Sequence, residues 1–214
     1  MIPFIRFTFN KRYILRWMVP GLFIYIPVLN FFSIGYLSRT SRILLIGDLG
    51  LPPWQDRTGT WFEGLTMIFV FILYEAVPFF LFFSGFFFTS LGSFFSVLGS
   101  LVVKVSYVFL FVFSFFLPFA FAIYSESHEI RQALAFERIW RGIKPVFLPY
   151  AFGYIISLCF LYIGKALFRI PYLFGFVLSS LAVYYVLLLS TYYFTHLYRR
   201  TDLTQEPSGR PTTP

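Results

Sequence analysis

The chain has 214 residues, of which 58% are hydrophobic, 24% aromatic and only 12% charged, and 33 of them are phenylalanine. An average globular domain carries about 25% charged residues, so this composition excludes a water-soluble domain and places the chain in lipid. The net charge of +8 then reflects membrane orientation and lipid contact, and gives no reason to expect nucleic-acid binding.

Residues 1–16 interleave Phe4, Phe7, Phe9 and Tyr13 with Arg6, Lys11, Arg12 and Arg16. The pattern is that of an aromatic and basic anchor lying at the headgroups, and its cations favour anionic lipid. It is not expected to be a cleaved signal peptide, because no small-residue site follows and Pro27 stands where cleavage would fall. Residues 17–37 are apolar enough to span but are broken by Pro20-Gly21 and Pro27 and carry Asn30, Ser33 and Gly35. If this segment crossed the membrane, Lys and Arg would divide seven to ten between the two faces. If it dips in and returns, the division is fourteen to three, with only Lys104, Lys165 and Arg169 on the far side. Cytoplasmic loops are enriched in Lys and Arg, so the expectation is a re-entrant or interfacial broken helix around Pro27 and Asn30, with both termini cytoplasmic.

Residues 37–60 read as a polar connector, in which Leu51-Pro52-Pro53 favours extended backbone. Trp17, Trp54, Trp61 and Trp140 suit the interfacial aromatic belt. A helix needs about 20 apolar residues to cross the hydrocarbon layer. Four stretches qualify, at 62–88, 95–124, 145–163 and 170–197. They form two hairpins, one closed at Ser90–Ser93 and the other at Gly164–Arg169. The charged loop Ser125–Lys144 separates them, and its apolar positions Ile130, Leu134, Phe136, Ile139 and Trp140 predict an amphipathic cytoplasmic helix supported by the pair Glu137 and Arg141. Residues 201–214, with Pro207, Gly209, Pro211 and Pro214, have no apolar face and are expected to be disordered. The fold class is therefore all-α integral membrane, with residues 1–200 as a single helical domain.

The motifs argue against chemistry at a catalytic or metal site. His128-Glu129-Ile130-Arg131-Gln132 lacks the second histidine of a zinc-protease helix, and His196 is the only other histidine. There is no Gly-x-Ser-x-Gly elbow and no phosphate-cradling glycine loop. Cys159 stands alone in an apolar span, where a small buried hydrophobe is the ordinary reading. No catalytic residue, metal ligand or cofactor is expected, and the protein is not expected to be an enzyme.

Inside the membrane the informative residues are Asn30, Glu75 and Lys104. A charge near the bilayer centre costs at least about 2.5–3.5 kcal/mol, so it turns to protein or water. At 1.5 Å per residue, Glu75 lies about 20 Å and Lys104 about 15 Å below the first hairpin turn. Two readings follow: an ion or proton site with Asn30 at the re-entrant tip, or a structural Glu75 that is either neutralised or paired with Lys104 to hold the hairpin together.

Ile26-Pro27-Val28-Leu29-Asn30, Gly35-Tyr36 with Arg39 and Arg42, Leu51-Pro52 with Trp54 and Asp56, and Phe62-Glu63-Gly64-Leu65 resemble successive signatures of domain-of-unknown-function family 4013. Pro118, Tyr124 and Ala133–Phe136 continue the resemblance, and the four-residue spacing of Tyr74 and Pro78 departs from it. The resemblance implies a helical membrane protein of the bacterial or archaeal plasma membrane and carries over no catalytic residue. Two functions remain: a scaffold or accessory subunit working with protein partners, or a homo-oligomeric transporter, channel or lipid-handling protein that uses Glu75.

Overall fold

A computed structural model describes residues 2–201 and 203. Among these residues the secondary structure is helical throughout: α1 (Ile2–Thr8), α2 (Ile14–Phe23), α3 (Asn30–Leu45), α4 (Arg57–Thr89), α5 (Ser93–Ser114), α6 (Leu117–Ser127), α7 (Ile130–Ala133), α8 (Phe136–Ile143), α9 (Phe147–Ala166) and α10 (Tyr172–Tyr198). Short 3-10 turns at Lys144–Val146 and Leu167–Arg169 flank α9. Four apolar rods are long enough to cross a bilayer: Arg57–Thr89, Phe94–Ser127, Phe136–Arg169 and Tyr172–Tyr198. They match the four expected spans, and the chain is a multi-pass membrane protein by length and composition. The second rod is jointed at Phe115–Phe116, just before Pro118 in the first turn of α6, because proline has no N–H to continue the bonding of α5.

The chain forms two compact units, residues 1–68 with 118–214 and residues 69–117. The centre of the first is α10, and the N-terminal elements are laid along it in a readable register. Phe4 stacks on Tyr192 at 4.3 Å, and the Thr8 hydroxyl lies 3.1 Å from that of Tyr185. Trp17 packs on Tyr185, and Tyr25 reaches Ser179 at 3.0 Å. The chain then reverses at residues 24–29 and α3 returns: Tyr184 donates to the Ser33 carbonyl (3.4 Å), the hydroxyls of Ser41 and Thr195 are 2.9 Å apart, and Arg199 donates to the Leu44 carbonyl (3.3 Å). From Ser179 to Arg199 the helix rises about 30 Å, the thickness of the hydrocarbon layer. Residues 17–37 are thus part of a broken helical hairpin whose arms run antiparallel. At its turn Val28 has φ 70°, a strained value for a β-branched residue, and its carbonyl accepts the Trp61 indole N–H.

Several expectations change. Helix α3 continues to Leu45 and α4 begins at Arg57, so about half of the expected polar connector is helix. It is buried although polar: Ser33, Ser38, Thr40 and Ser41 are fully enclosed, and each hydroxyl has a partner, at Pro20 O (2.6 Å), Ser125 Oγ (3.2 Å), Tyr36 O (2.8 Å) and Thr195 Oγ1. The loop 125–144 is not one amphipathic helix. It contains α7 and α8 with a break at Leu134–Ala135, because Ala133, Ile139 and Ile143 turn inward while Phe136 and Trp140 stay exposed. Its expected pair forms, with Arg141 Nη2 at 3.6 Å from Glu137. Cys159 is exposed on α9 rather than buried. Of the expected disordered tail, Thr201 and Leu203 are buried, with Leu203 seated over Gly142; residues 202 and 204–214 lie outside the described residues.

The second unit is the hairpin of α5 and the distal part of α4, joined through Gly92 at φ 118°. Its helices touch where Gly85 faces Gly99: a Cβ on Gly85 would stand 2.9 Å from the Gly99 carbonyl. Small residues at such a crossing let backbones approach closely in lipid. Phe82 and Tyr107 (6.0 Å) and Phe88 and Phe95 (6.5 Å) pack on either side.

Candidate functional site

The densest polar arrangement among the described residues lies in the first unit, where α3, the start of α4 and the end of α6 meet. Two glycines make the meeting close. A Cβ on Gly35 would overlap the carbonyl oxygen of Thr60, and one on Gly64 would overlap that of Phe31, so α3 and α4 cross backbone to backbone. The turn before α4 is fixed by Asp56, whose Oδ1 accepts the Gly59 N–H (2.9 Å) and whose carbonyl accepts the Thr60 hydroxyl (2.6 Å).

Onto this crossing the sequence places Arg39 and Arg42, one helical turn apart on α3. Arg39 Nη2 reaches Asp56 Oδ2 at 2.6 Å, its Nε reaches Glu63 Oε1 at 3.2 Å, and its Nη1 donates to the Asp56 carbonyl. Arg42 Nη2 takes the other oxygen of Glu63 at 3.0 Å, and Arg42 also donates to the Ser125 carbonyl and to His128 Nδ1, each at 3.4 Å. Glu63 is therefore a single carboxylate shared by two arginines. Its side chain and that of Arg39 are each only 16% exposed. Because arginine only donates, His128 Nδ1 accepts, and the imidazole is neutral with its proton on Nε2. Burial and the Arg42 charge push the His128 pKa down, while hydrogen bonds from Arg39 and the Gly59 N–H hold Asp56 below the usual carboxylate range. Tyr36 donates to the Pro52 carbonyl (3.1 Å) and carries Trp54 stacked at 5.1 Å, which ties the Leu51-Pro52 turn to the same helix. This network holds three segments in register and has no nucleophile beside a base.

The intramembrane candidates are not gathered there. Glu75 and Lys104 both belong to the hairpin and form no ion pair among the described residues, and Lys104 is exposed. The register explains this: Gly85 faces Gly99 and Phe82 faces Tyr107, so Lys104 stands level with a point five to ten residues beyond Glu75, about 8–15 Å along the axis. Glu75 keeps Oε2 buried without a partner, and so does Asn30 with its Oδ1 at the first residue of α3.

The expected anchors divide. Trp17 is buried, with its indole N–H donated to the Thr8 carbonyl at 3.0 Å, whereas Trp140 is exposed and Trp54 and Trp61 are partly so. Arg6, Lys11 and Arg12 are exposed, and Arg16 donates to the Leu51 carbonyl at 3.1 Å. Phe4 is fully buried on α10, so part of the supposed surface anchor is packed inside the protein. His128 and His196 are engaged with different arginines, Arg42 and Arg200. No group of three or more metal-binding side chains occurs among the described residues.

Sequence reasoning missed the network as a site, although its charged residues Arg39, Arg42, Asp56 and Glu63 all stand in the motifs quoted above. The overlooked signal was spacing: Arg39 and Arg42 lie i,i+3 on one helix face, and Asp56 and Glu63 follow, one just before α4 and one two turns into it. No curated protein and no solved structure matches the chain. A family model does match, over residues 19–183, and takes in the hairpin, the glycine crossing and the arginine–carboxylate network together. The chain therefore belongs to the DUF4013 family, described as proteins of unknown function.

Proposed function

We propose that the protein is a non-enzymatic, membrane-embedded subunit that assembles with other membrane protein through its α4–α5 hairpin, in a prokaryotic plasma membrane with both termini cytoplasmic. The observation that carries this reading is Glu75. It is the only acid in residues 69–117, its Oε2 is buried, and no donor from its own chain reaches that oxygen among the described residues. The faces around it are apolar and exposed, with Phe79, Phe80, Phe83, Phe86 and Phe87 on α4 and Val97, Leu101, Val105 and Val108 on α5. The rest of the Glu75 side chain is partly exposed, and a carboxyl in such a setting is stabilised by a donor that a partner helix brings to that open side. The orientation is supported by the fourteen-to-three division of basic residues, and by an N-terminal hairpin whose arms both return toward the Arg199 end of α10.

Photo-crosslinking in native membranes tests the assembly. A photoreactive residue at Phe80 or Phe83 is expected to capture a defined protein in stoichiometric yield, while one at Phe152 on α9 captures lipid. Glu75→Gln, which keeps an acceptor, is expected to retain the capture, and Glu75→Leu to lose it. Lipid adducts alone at Phe80 and Phe83 would sink the proposal. The second reading, an oligomeric transporter or channel, also draws on the buried Glu75 oxygen, and it requires that Glu75→Gln abolish function while assembly persists.

A further inference from the structure

The turn of the N-terminal hairpin meets the α9–α10 connection at a cleft of about 540 Å³, lined by Tyr25, Tyr162, Lys165, Ala166, Phe168 and Arg169. We propose that this cleft binds the phosphate of an anionic phospholipid. Lys165 stands in the last turn of α9 and Arg169 ends the 3-10 turn that follows; both line the cleft, and neither has a carboxylate partner among the described residues. Like charges facing one cleft repel, and an anion between them removes the repulsion. The carbonyls at the helix end already favour the two cations, so they oppose an anion on the helix axis and direct it to the side where Tyr25 stands.

That side is built. Ser179 donates its hydroxyl to the Gly164 carbonyl (2.9 Å), so at the 3.0 Å contact between Tyr25 and Ser179 the tyrosine donates. Tyr25 is thereby locked as a wall, with Phe168 edge-on at 5.7 Å and Phe176 at 6.1 Å behind it. The Tyr162 hydroxyl remains as a neutral donor on the rim. Two cations and a hydroxyl suit one phosphate, and a cleft of this volume suits a whole headgroup rather than a bare ion. Beside it Tyr172, Leu173 and Phe174 are exposed, an apolar surface over which acyl chains can lie. The chemistry is that of a phosphate ester, and the apolar surroundings select the lipid over a soluble phosphate.

The test uses the full chain in nanodiscs of equimolar phosphatidylglycerol and phosphatidylcholine, extracted into mild detergent, with the retained lipid read by native mass spectrometry. Phosphatidylglycerol is expected to be enriched. A cation near an anionic lipid surface is worth about fivefold in binding, so Lys165→Gln with Arg169→Gln should reduce the enrichment by about 25-fold. Ala166→Trp, which fills the cleft and keeps both charges, should reduce it similarly. The double change Arg131→Gln and Lys144→Gln, at two exposed cations of the loop between the hairpins, should leave it intact. Unchanged enrichment in both cleft variants, or its loss in this loop variant, overturns the assignment. Release of the lipid by millimolar inorganic phosphate would assign the cleft to a free phosphate instead and equally overturn it.

Discussion

Replacing Glu63 by Gln tests whether the arginine network holds the fold. The carboxylate accepts from Arg39 at 3.2 Å and Arg42 at 3.0 Å, and the change leaves two guanidiniums facing each other with one neutral acceptor. Removing one partner of a buried ion pair costs about 3–5 kcal/mol. Two features lower that figure. Arg42 is 38% exposed and can turn to water, and Arg39 keeps Asp56 at 2.6 Å together with the Asp56 carbonyl. About 2–3 kcal/mol is therefore expected, roughly one hydrogen bond to a charged group. Arg42→Gln alone should cost about 1 kcal/mol, since it leaves Glu63 with Arg39, and the double variant should show a coupling of about 1 kcal/mol because the two sites share a partner. Reversible unfolding in mixed micelles, followed by tryptophan fluorescence, reads these differences; Trp54 and Trp61 lie next to the network. A Glu63→Gln variant within about 0.5 kcal/mol of wild type, with no coupling to Arg42, would falsify the reading, since exposed pairs contribute only that much.

Gly64→Ala puts a methyl group into the Phe31 carbonyl, where no rotamer change gives relief, so α3 and α4 must separate. The expected cost is about 3 kcal/mol, the upper end for overpacking, and Gly35→Ala should match it without adding to it in the double variant, because one separation accommodates both. Acid should weaken the same junction through His128. Its folded-state pKa lies below the unfolded value near 6.5, so between the two the folded state binds fewer protons and stability falls as the pH drops through that window. Midpoints of unfolding measured from pH 7.5 to 5 should decline for wild type and flatten in His128→Gln; equal slopes would show that His128 does not titrate against Arg42.

The apolar rods were legible because each repeats a hydrophobic pattern over more than twenty residues with little competing signal. Their turns at Ser90–Gly92 and at Leu167–Pro171 fall within or beside the expected ones for the same reason. Helix α3 was legible only in part. Its serines and threonines look like surface when read singly, yet Ser33, Gly35, Ser38 and Ser41 are the small residues that let helices approach closely in lipid. Counting from the turn already offsets Glu75 from Lys104 by about 5 Å along the axis, and the Gly85–Gly99 crossing keeps nearly that register with an offset of about 8 Å, so the mistake lay in treating the offset as within reach. Trp17 was taken for an interfacial ring on residue type alone, and nothing local reveals that Tyr185, far along the chain, covers it.

The enclosed hydroxyls of α3 bear on the order in which this protein is built. Ser41 bonds to Thr195 and Ser33 accepts through its carbonyl from Tyr184, so partners for this segment are supplied by α10, more than 150 residues further along the chain. Ser33 and Thr40 find acceptors close by at Pro20 and Tyr36, but Ser38 depends on Ser125 and Ser41 on Thr195, so the hydroxyls of α3 are all satisfied only when α6 and α10 are both in place. Stable burial of residues 30–45 is therefore expected only once α10 has been made, and labelling of a cysteine at Ser41 in nascent chains cut before and after residue 198 would read it.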